Sequence, residues 1–501
     1  MTPTCDDPQA GVAAIYRADW LLPGPEAAPI ANGGVAVDAT GRIVALGPVR
    51  TLPDAPGRIE DLGHAVLMPG LVNAHQHGRG VSQLLMGYPD LPLEPWIAGR
   101  RRHGPPDIYA VTRLAAEEML ANGVCATLHG NYSYGSGDHA AEATAQIAAY
   151  RDAGLRTTFC VGVQDRGATV YPDGNAEAFV RSLPAAARAA LHGAGPAFPP
   201  DRTTALALMD RLAADIPADG LIRLAWGPAG PQWVADATWR WIAADAARRG
   251  IGVHFHLLES PAQAAAARRL YPEGTLRRLR DLGVFEGPAS CAHGVHMNAE
   301  DRRIAAAAGL TVVLNPGSNL RLHNGNPDVA ALRAAGVPLA VGTDNCALAD
   351  DEDLLGELRL ATALGRTSVR GAGDSLAMVT TAGGRAAFLP DGYGRLAVGA
   401  AADFCAFSLD GIGGGRTLPP DRLLDLVLAR GRGAACILTV VDGQVRFRAS
   451  DATHARRAHW RGIAMASVEN RAELADAGAI AALQDALSRH YAARLVQAGD
   501  A

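Results

Sequence analysis

Eight times between residues 71 and 343 a short apolar run gives way to an alanine- and arginine-rich stretch long enough for a helix, and this alternation limits the fold more than any other feature. The candidate strands lie near 71–75, 124–129, 155–162, 221–227, 251–257, 288–293, 310–315 and 337–343. Helical stretches at 107–121, 140–152, 202–214, 234–249, 262–281, 299–308 and 327–335 separate them, and 351–364 follows the last. Strands joined by helices run parallel, and eight such units over about 320 residues suit a closed (β/α)8 barrel better than an open sheet. An open doubly wound sheet would favour Gly-x-Gly-x-x-Gly at its first strand-to-helix turn, and none is there.

Shorter alternating segments flank this region. Gly34–Asp38 and Arg42–Leu46 before it, and Asp403–Phe407 and Ile437–Val445 after it, read as strands, with Asp442-Gly443 as a hairpin turn. The expected fold class is therefore α/β: a (β/α)8 TIM-like barrel over 69–394, with a small composite β-sandwich domain built from both ends of the chain, 1–68 plus 395–450. The remainder, 451–501, reads as a helical tail that serves packing or an oligomer contact. A chain of 501 residues exceeds what one core usually organises, and 49% hydrophobic against 19% charged residues leaves enough apolar surface to fold throughout.

The charge pattern excludes several function classes. A formal net charge of -5 with no long run of either sign argues against nucleic acid or an anionic membrane as partner. The densest basic cluster, Arg100-Arg101-Arg102, reads as solvated surface, although its position just after Trp96 keeps an anion site open. Met1 to Ala10 carries acids and no apolar run, and no stretch reaches the ~18 residues of a membrane span, so a cytoplasmic location is expected. Seven cysteines, at 5, 125, 160, 291, 346, 405 and 436, form no Cys-x-x-Cys pair and read as small core residues. The chain contains no lysine, so all 46 basic residues are arginine. That excludes Schiff-base chemistry, P-loop phosphate transfer and a carbamylated lysine bridging two metals.

The residues that carry chemistry fall at strand ends. Residues two apart on a strand share a face, so His75 and His77, closing the first barrel strand, can grip one ion at the mouth where such barrels hold their active sites. A bare His-x-His is weak by itself, but later strand ends add to it. The fifth strand ends in His254-Phe255-His256-Leu257-Leu258-Glu259, the sixth in Cys291-Ala292-His293, the eighth in Gly342-Thr343-Asp344. Glu259 stands three residues after His256, an odd separation that requires the chain to turn before its carboxylate can lean over the mouth. His254, His296 and His323 read as core or surface groups; His254 shares the face of His256, and the choice between them rests on Glu259. His129 ends the second strand and is a candidate pocket residue.

In this combination and order, Pro69 to His77, His256-Leu257-Leu258-Glu259, Ala292-His293 and Gly342-Thr343-Asp344 resemble the motifs of the amidohydrolase superfamily, within it the mononuclear deaminase and triazine-hydrolase branch. The resemblance spans about residues 10 to 450. It implies that His75, His77, His256 and Asp344 hold one divalent metal, zinc first with iron or manganese as alternatives, that Glu259 shuttles protons and that His293 orients water or substrate. A bound divalent ion lowers the pKa of water to about 7 and makes hydroxide available at neutral pH. Asp344 can accept the water proton, Glu259 can protonate a ring nitrogen and help expel ammonia, and His293 can donate to the developing oxyanion. The expected activity is hydrolytic deamination of a small amino-substituted N-heterocycle of purine, pyrimidine, pterin or triazine type. The alternative is cleavage of another C–N bond (formimino, amidine or guanidino) or of a triazine ring substituent. A non-catalytic binding protein would show a damaged ligand set, and this set is intact.

Two departures from the branch bear on the substrate. Pro228-Ala229-Gly230-Pro231-Gln232-Trp233 has alanine where nucleoside-type deaminases of the branch carry a substrate-contacting histidine, and Leu314-Asn315-Pro316 has leucine where they often read His-Asn-Pro. A substrate other than adenosine or S-adenosylhomocysteine is expected, with Trp96, His129, Gln232 and Trp233 as candidate contacts. The partners expected are a small-molecule substrate and water, with a homodimer or higher homo-oligomer as the assembly.

Overall fold

Parallel strands buried on both faces need continuous apolar runs, and the eight runs read from the sequence form one such sheet. The structure, a computed structural model, describes residues 11–54, 58–191, 193–344, 351–365, 371–413 and 419–498. The segment Met1 to Ala10, with Cys5, and Cys346 lie outside the described residues. Strands are numbered along the chain. Five precede the barrel: β1 (Val12–Leu21), β2 (Ile30–Asp38), β3 (Ile43–Pro48), β4 (Arg58–Asp61) and β5 (Ala65–Pro69). The barrel strands are β6 (Leu71–Gln76), β7 (Val124–Gly130), β8 (Arg156–Val163), β9 (Ile222–Pro228), β10 (Val253–Leu257), β11 (Ala289–His293), β12 (Thr311–Leu314) and β13 (Leu339–Val341). Three follow: β14 (Phe404–Ser408), β15 (Cys436–Val441) and β16 (Gln444–Arg448).

Strands β6 to β13 are hydrogen-bonded in sequence order, each pair parallel where its register is defined. The ends of this sheet meet: Gln76 bridges Asp344 in parallel, and the Asp344 amide donates to the His75 carbonyl at 2.8 Å. Gly342 permits that closure, because a Cβ there would lie 2.6 Å from the His75 oxygen. The (β/α)8 barrel is thus nearly closed, and its seam runs between the strands that carry His75 and Asp344.

The expected helices form near their predicted ranges, with one of them split and four more between the strands, Leu93–Gly99, Ala176–Ser182, Ala185–Ala190 and Pro316–Arg321. The stretch 262–281 forms two helices, Pro261–Leu270 and Thr275–Asp281. Pro272 and Gly274, the latter at φ 110, break the run between them.

The remaining strands form one mixed sheet in the order β16-β15-β14-β5-β1-β2-β3, with β4 pairing β1. Both ends of the chain meet in it through the antiparallel pair β5–β14, where Pro69 faces Phe404. One face packs its own core of Tyr16, Leu21, Val35, Phe404 and Leu438, while Met68, Cys405, Phe407 and Val441 join the main cluster beneath the barrel helices. A buried ion pair ties the two sheets: Arg156 of β8 donates to both oxygens of Asp403, at 2.8 and 3.2 Å. Cys125, Cys160, Cys291, Cys405 and Cys436 are free and buried, as small core residues.

The tail packs back on the barrel. Helix Asp451–Glu469 lies against helix Ile108–Ala121, with Arg456 paired to Glu117 and both Arg457 and Arg461 to Glu118. Helix Ala477–Ala498 buries Leu483, Leu487 and Tyr491 against Ala98, Tyr171 and Phe179. Among the described residues no helix is long and apolar enough to cross a membrane.

Candidate metal centre and active site

At the C-terminal ends of β10, β11 and β13 the backbone leaves the sheet through non-glycine residues with positive φ: Leu258 at 47, His293 at 73 and Asp344 at 64. Such conformations cost about 1–3 kcal/mol each and persist where the surroundings hold them. Here backbone bonds do so, from Gly294 to Leu257 at 3.0 Å and from His296 to Leu258 at 3.1 Å. The turn at Leu258 takes Glu259 out of the strand. Ser260 then N-caps the helix Pro261–Leu270, and the Gln263 side chain accepts from the Glu259 amide at 2.9 Å. Glu259 consequently faces the same cavity as His256, three positions before it.

His75, His256, His293 and Asp344 each offer one ligand atom, and these atoms all lie within 4.8 Å of one another. His77 joins them: its Nε2 and that of His75 stand 3.2 and 3.1 Å from the same Asp344 oxygen. Donor atoms about 2.1 Å from one ion are spaced about 3.0–3.4 Å from each other, so these separations suit a single divalent cation. The rings are oriented for it. Nδ1 of His77 donates to the Gly130 carbonyl at 2.6 Å and Nδ1 of His256 to the Ala229 carbonyl at 3.0 Å, leaving each Nε2 lone pair to point inward. Burial, with like charge from neighbouring rings and against the pull of Asp344, brings His75 down to about 4. Burial first, then the same neighbours, holds His256 well below the ordinary range, so both are neutral donors.

His254 is part of this arrangement, which the sequence reading set aside as core. His75 Nδ1 donates to His254 Nε2 at 2.8 Å, His254 Nδ1 to Ser290 Oγ at 2.7 Å, and Ser290 Oγ to the Ala386 carbonyl at 2.8 Å. Side-chain alternation put His254 on the right face; its depth, one layer below His256, makes it a support for His75.

The two carboxyls are pushed in opposite directions. Burial raises the Glu259 pKa well above the usual range, helped by the charges of Asp344 and Glu94, while Asn324, donating to Oε1 at 3.0 Å, opposes the rise. Burial works to raise Asp344 too, but the His75 and His77 rings against its oxygen outweigh it and hold the group well below the usual range. Ser318 Oγ donates to the other Asp344 oxygen. His293 Nδ1 donates to Asn319 Oδ1 at 3.0 Å, and its Nε2 lies 3.6 Å from Glu259 Oε2. Burial lowers the His293 pKa, so the neutral ring offers Nε2 as an acceptor, where the sequence reading had it donating. Ser318, Asn319 and Asn324 come from the segment after β12, which carried no recognisable motif beyond Asn315-Pro316.

A cavity of about 610 Å³ opens over these groups, with His77, His256, Glu259, His293 and Asp344 at its floor. Trp96 and Trp233 line it, as does Ala229. His129 and Gln232 do not. His129 is buried, stacked on Phe159 and bonded through Nδ1 to Tyr150 at 2.8 Å, and Gln232 is fully buried beneath the wall. His129 sits near the end of β7 and Gln232 in the single 3-10 turn Pro231–Trp233 that follows β9, yet both side chains point into the packing around the mouth. Arg100, at the end of helix Leu93–Gly99, does line the cavity.

With this geometry in view, the comparisons with known proteins are specific. Residues 66–446 match the family model described as "Amidohydrolase family". A 5-methylthioadenosine/S-adenosylhomocysteine deaminase of Desulfitobacterium hafniense is 30% identical over 381 residues, covering 74% of this chain and 79% of the relative. Among solved structures, an adenosine deaminase from Xanthomonas campestris with bound zinc superposes with a TM-score of 0.74 at 25% identity, over 90% of this chain and 98% of that one. An atrazine chlorohydrolase from Arthrobacter aurescens, complexed with zinc and atraton, shares the fold with a TM-score of 0.73 at 22% identity, over 89% and 99% of the two chains.

Proposed function

Because the chain belongs to the amidohydrolase family, we propose that it is a metal-dependent deaminase that hydrolyses the exocyclic C–N bond of a small amino-substituted N-heterocycle and releases ammonia. One observation carries the reading: a single cavity brings together Glu259, which burial keeps protonated, and Asp344, kept ionised, beside His77, His256 and His293. Paired groups whose environments drive their protonation apart are the usual acid and base of such a site.

His75, His77, His256 and Asp344 would hold the ion, with zinc favoured by their nitrogen-rich donor set. When bound, the ion supplies Lewis acidity that brings the pKa of water to about 7. The chain's own groups then handle the protons. Asp344, ionised, accepts one proton from water as the water oxygen bonds to the ring carbon that bears the amino group. Neutral His293 accepts at Nε2 a hydrogen bond from the second water hydrogen, which stays on the oxygen, and so aims it. Glu259 gives its proton to the adjacent ring nitrogen, which takes up the electron pair displaced from the C=N bond. The proton on Asp344 passes to the amino nitrogen, the C–N bond breaks, and ammonia leaves as the carbonyl forms. Glu259 recovers its proton from the remaining hydroxyl.

Trp96 and Trp233 supply flat apolar walls for a planar ring. Ala229, in place of the histidine of nucleoside-type relatives, supports a ring held differently from adenosine. The test is ammonia release screened over purines, pyrimidines, pterins, triazines and formimino compounds. Deamination of at least one aminated ring, lost in Asp344→Asn, is expected; release only from acyclic formimino or guanidino compounds, or none at all, refutes the reading.

A further inference from the structure

A second cavity, of about 750 Å³, lies at the other end of the barrel. The starts of four barrel strands line it, through Arg223 of β9, Gly252 just before β10, Pro288 just before β11 and Pro338 just before β13. Helix Thr381–Ala386 and residues of segment 388–395 complete the wall. Side-chain alternation aims Arg223 at the barrel axis. It shares a strand face with Ala225, which packs with Val72, Leu128 and Leu389, and its β8 neighbour Thr158 donates to the Ala387 carbonyl at 2.6 Å. Branched apolar residues ordinarily fill the inward layers of such barrels, so an arginine in the floor calls for a partner. Among the described residues it has none: Arg223 makes no hydrogen bond or ion pair, and its Nε is buried without an acceptor. Burial, then the charge of Arg156, lowers its pKa, and Arg156 is itself taken by Asp403. Arg385, exposed on the rim, has no partner either.

The acids of this wall leave a cationic excess. Glu26 accepts from Arg395 at 2.8 Å on both oxygens, and Asp391 is one carboxylate against two unpaired guanidinium groups. The rest of the lining is largely apolar, with Ile251, Leu389 and the ring of Phe388. Phe388 takes the left-handed position after helix Thr381–Ala386, at φ 55, where glycine is usual. Its ring covers Gly252, where a Cβ would stand 2.5 Å from it, so an aromatic face is held in the wall at a cost in backbone strain. We infer that this cavity binds an organic anion, a planar apolar ring carrying one carboxylate or phosphate group, with Arg223 and Arg385 on the charged group and Phe388 and Ile251 against the ring. Guanidinium forks match both oxyanions through paired N–H bonds, and the volume is that of a small-molecule site. The reaction cavity opens at the opposite ends of the strands and shares no lining residue with this one, so the ligand binds apart from the reacting molecule. This inference does not rest on the deaminase reading.

Calorimetry on the metal-loaded protein tests it, comparing 2-naphthoate and 2-naphthyl phosphate with neutral 2-naphthol and with inorganic phosphate. At least one ring-bearing anion should bind about tenfold or more tighter than both the neutral ring and the bare ion, and the one that does tells carboxylate from phosphate. That binding should weaken about 10- to 100-fold in Arg223→Gln and be partly kept in Arg223→Lys. Arg385→Gln, at an exposed position, should weaken it about tenfold and decides the matter alone if Arg223→Gln does not fold. Arg101→Gln, which alters the reaction cavity, should leave it intact. Binding unchanged in Arg385→Gln, or in folded Arg223→Gln, puts the charged group elsewhere and overturns the site, as does a loss in Arg101→Gln. Anions that bind no tighter than 2-naphthol overturn the role of the arginines, and bare phosphate binding as tightly as either ring-bearing anion overturns the role of the apolar wall.

Discussion

Replacing His254 with Phe keeps a buried ring of similar size and removes one hydrogen-bond relay. His254 is 2% exposed and accepts from His75 Nδ1 at 2.8 Å. Phenylalanine leaves that N–H, inside a dry barrel, without a partner, at about 1–3 kcal/mol. His75 is then free to rotate or to shift its proton to Nε2, the atom that faces Asp344 at 3.1 Å. Loss of such a supporting contact weakens metal affinity about 10- to 100-fold, or about 1.4–2.7 kcal/mol. The assay is competition between the protein and a chelator of known affinity, with circular dichroism to show that the barrel persists. His254→Gln, whose amide oxygen can accept the same bond, should recover most of the affinity. If His254→Phe binds metal within threefold of the wild type, the relay does not orient His75 and the reasoning fails.

Three further outcomes follow from the same structure. Glu259→Gln keeps the shape of the acid but cannot cycle a proton, so kcat should fall about 10²- to 10⁴-fold with metal content unchanged; a loss under tenfold would place the acid elsewhere. Burial raises Glu357 to about 7, so the folded state keeps its proton where the unfolded chain has lost it. The stability this contributes is fully present below the unfolded value near 4.5 and disappears as pH rises through about 7, and the Gln variant should flatten the wild type's loss between pH 5 and 8 by up to about 3 kcal/mol. Denaturant titrations of the metal-free protein at both pH values would show it, and parallel curves for the two proteins would contradict it. Leu487, 4% exposed in the tail helix, packs in the cluster that includes Ala98 and Tyr171 beside the mouth. Leu487→Ala should cost about 2–4 kcal/mol and speed amide exchange in segments 93–99 and 170–183; exchange confined to the tail would show that it does not brace the mouth.

The sequence made the barrel legible because period and length decide strand from helix, and the parallel order follows from the helices between strands. Which residues share a strand face was equally readable and gave His75 and His77; His256 and Asp344 stood out as strand ends, and the four became one ligand set through the family resemblance. Depth and rotation at the strand ends were not. His254 differs from His256 only by one layer, and His129 and Gln232 turn into packing that no local pattern encodes. Arg100-Arg101-Arg102 read as solvated surface; only the fold shows that Arg100 and Arg101 line the cavity while Arg102 pairs with Glu473. Ser318, Asn319 and Asn324 reach Asp344, His293 and Glu259 from a distant segment, through contacts that chain order does not reveal.

The account rests on one catalytic metal at the mouth of the barrel. Titrating metal-free protein with zinc while following ammonia release tests that directly. Activity should rise linearly and break at about one equivalent, with Asp344→Asn silent throughout; a break at two equivalents, or full activity with less than about a tenth of an equivalent bound, would contradict it.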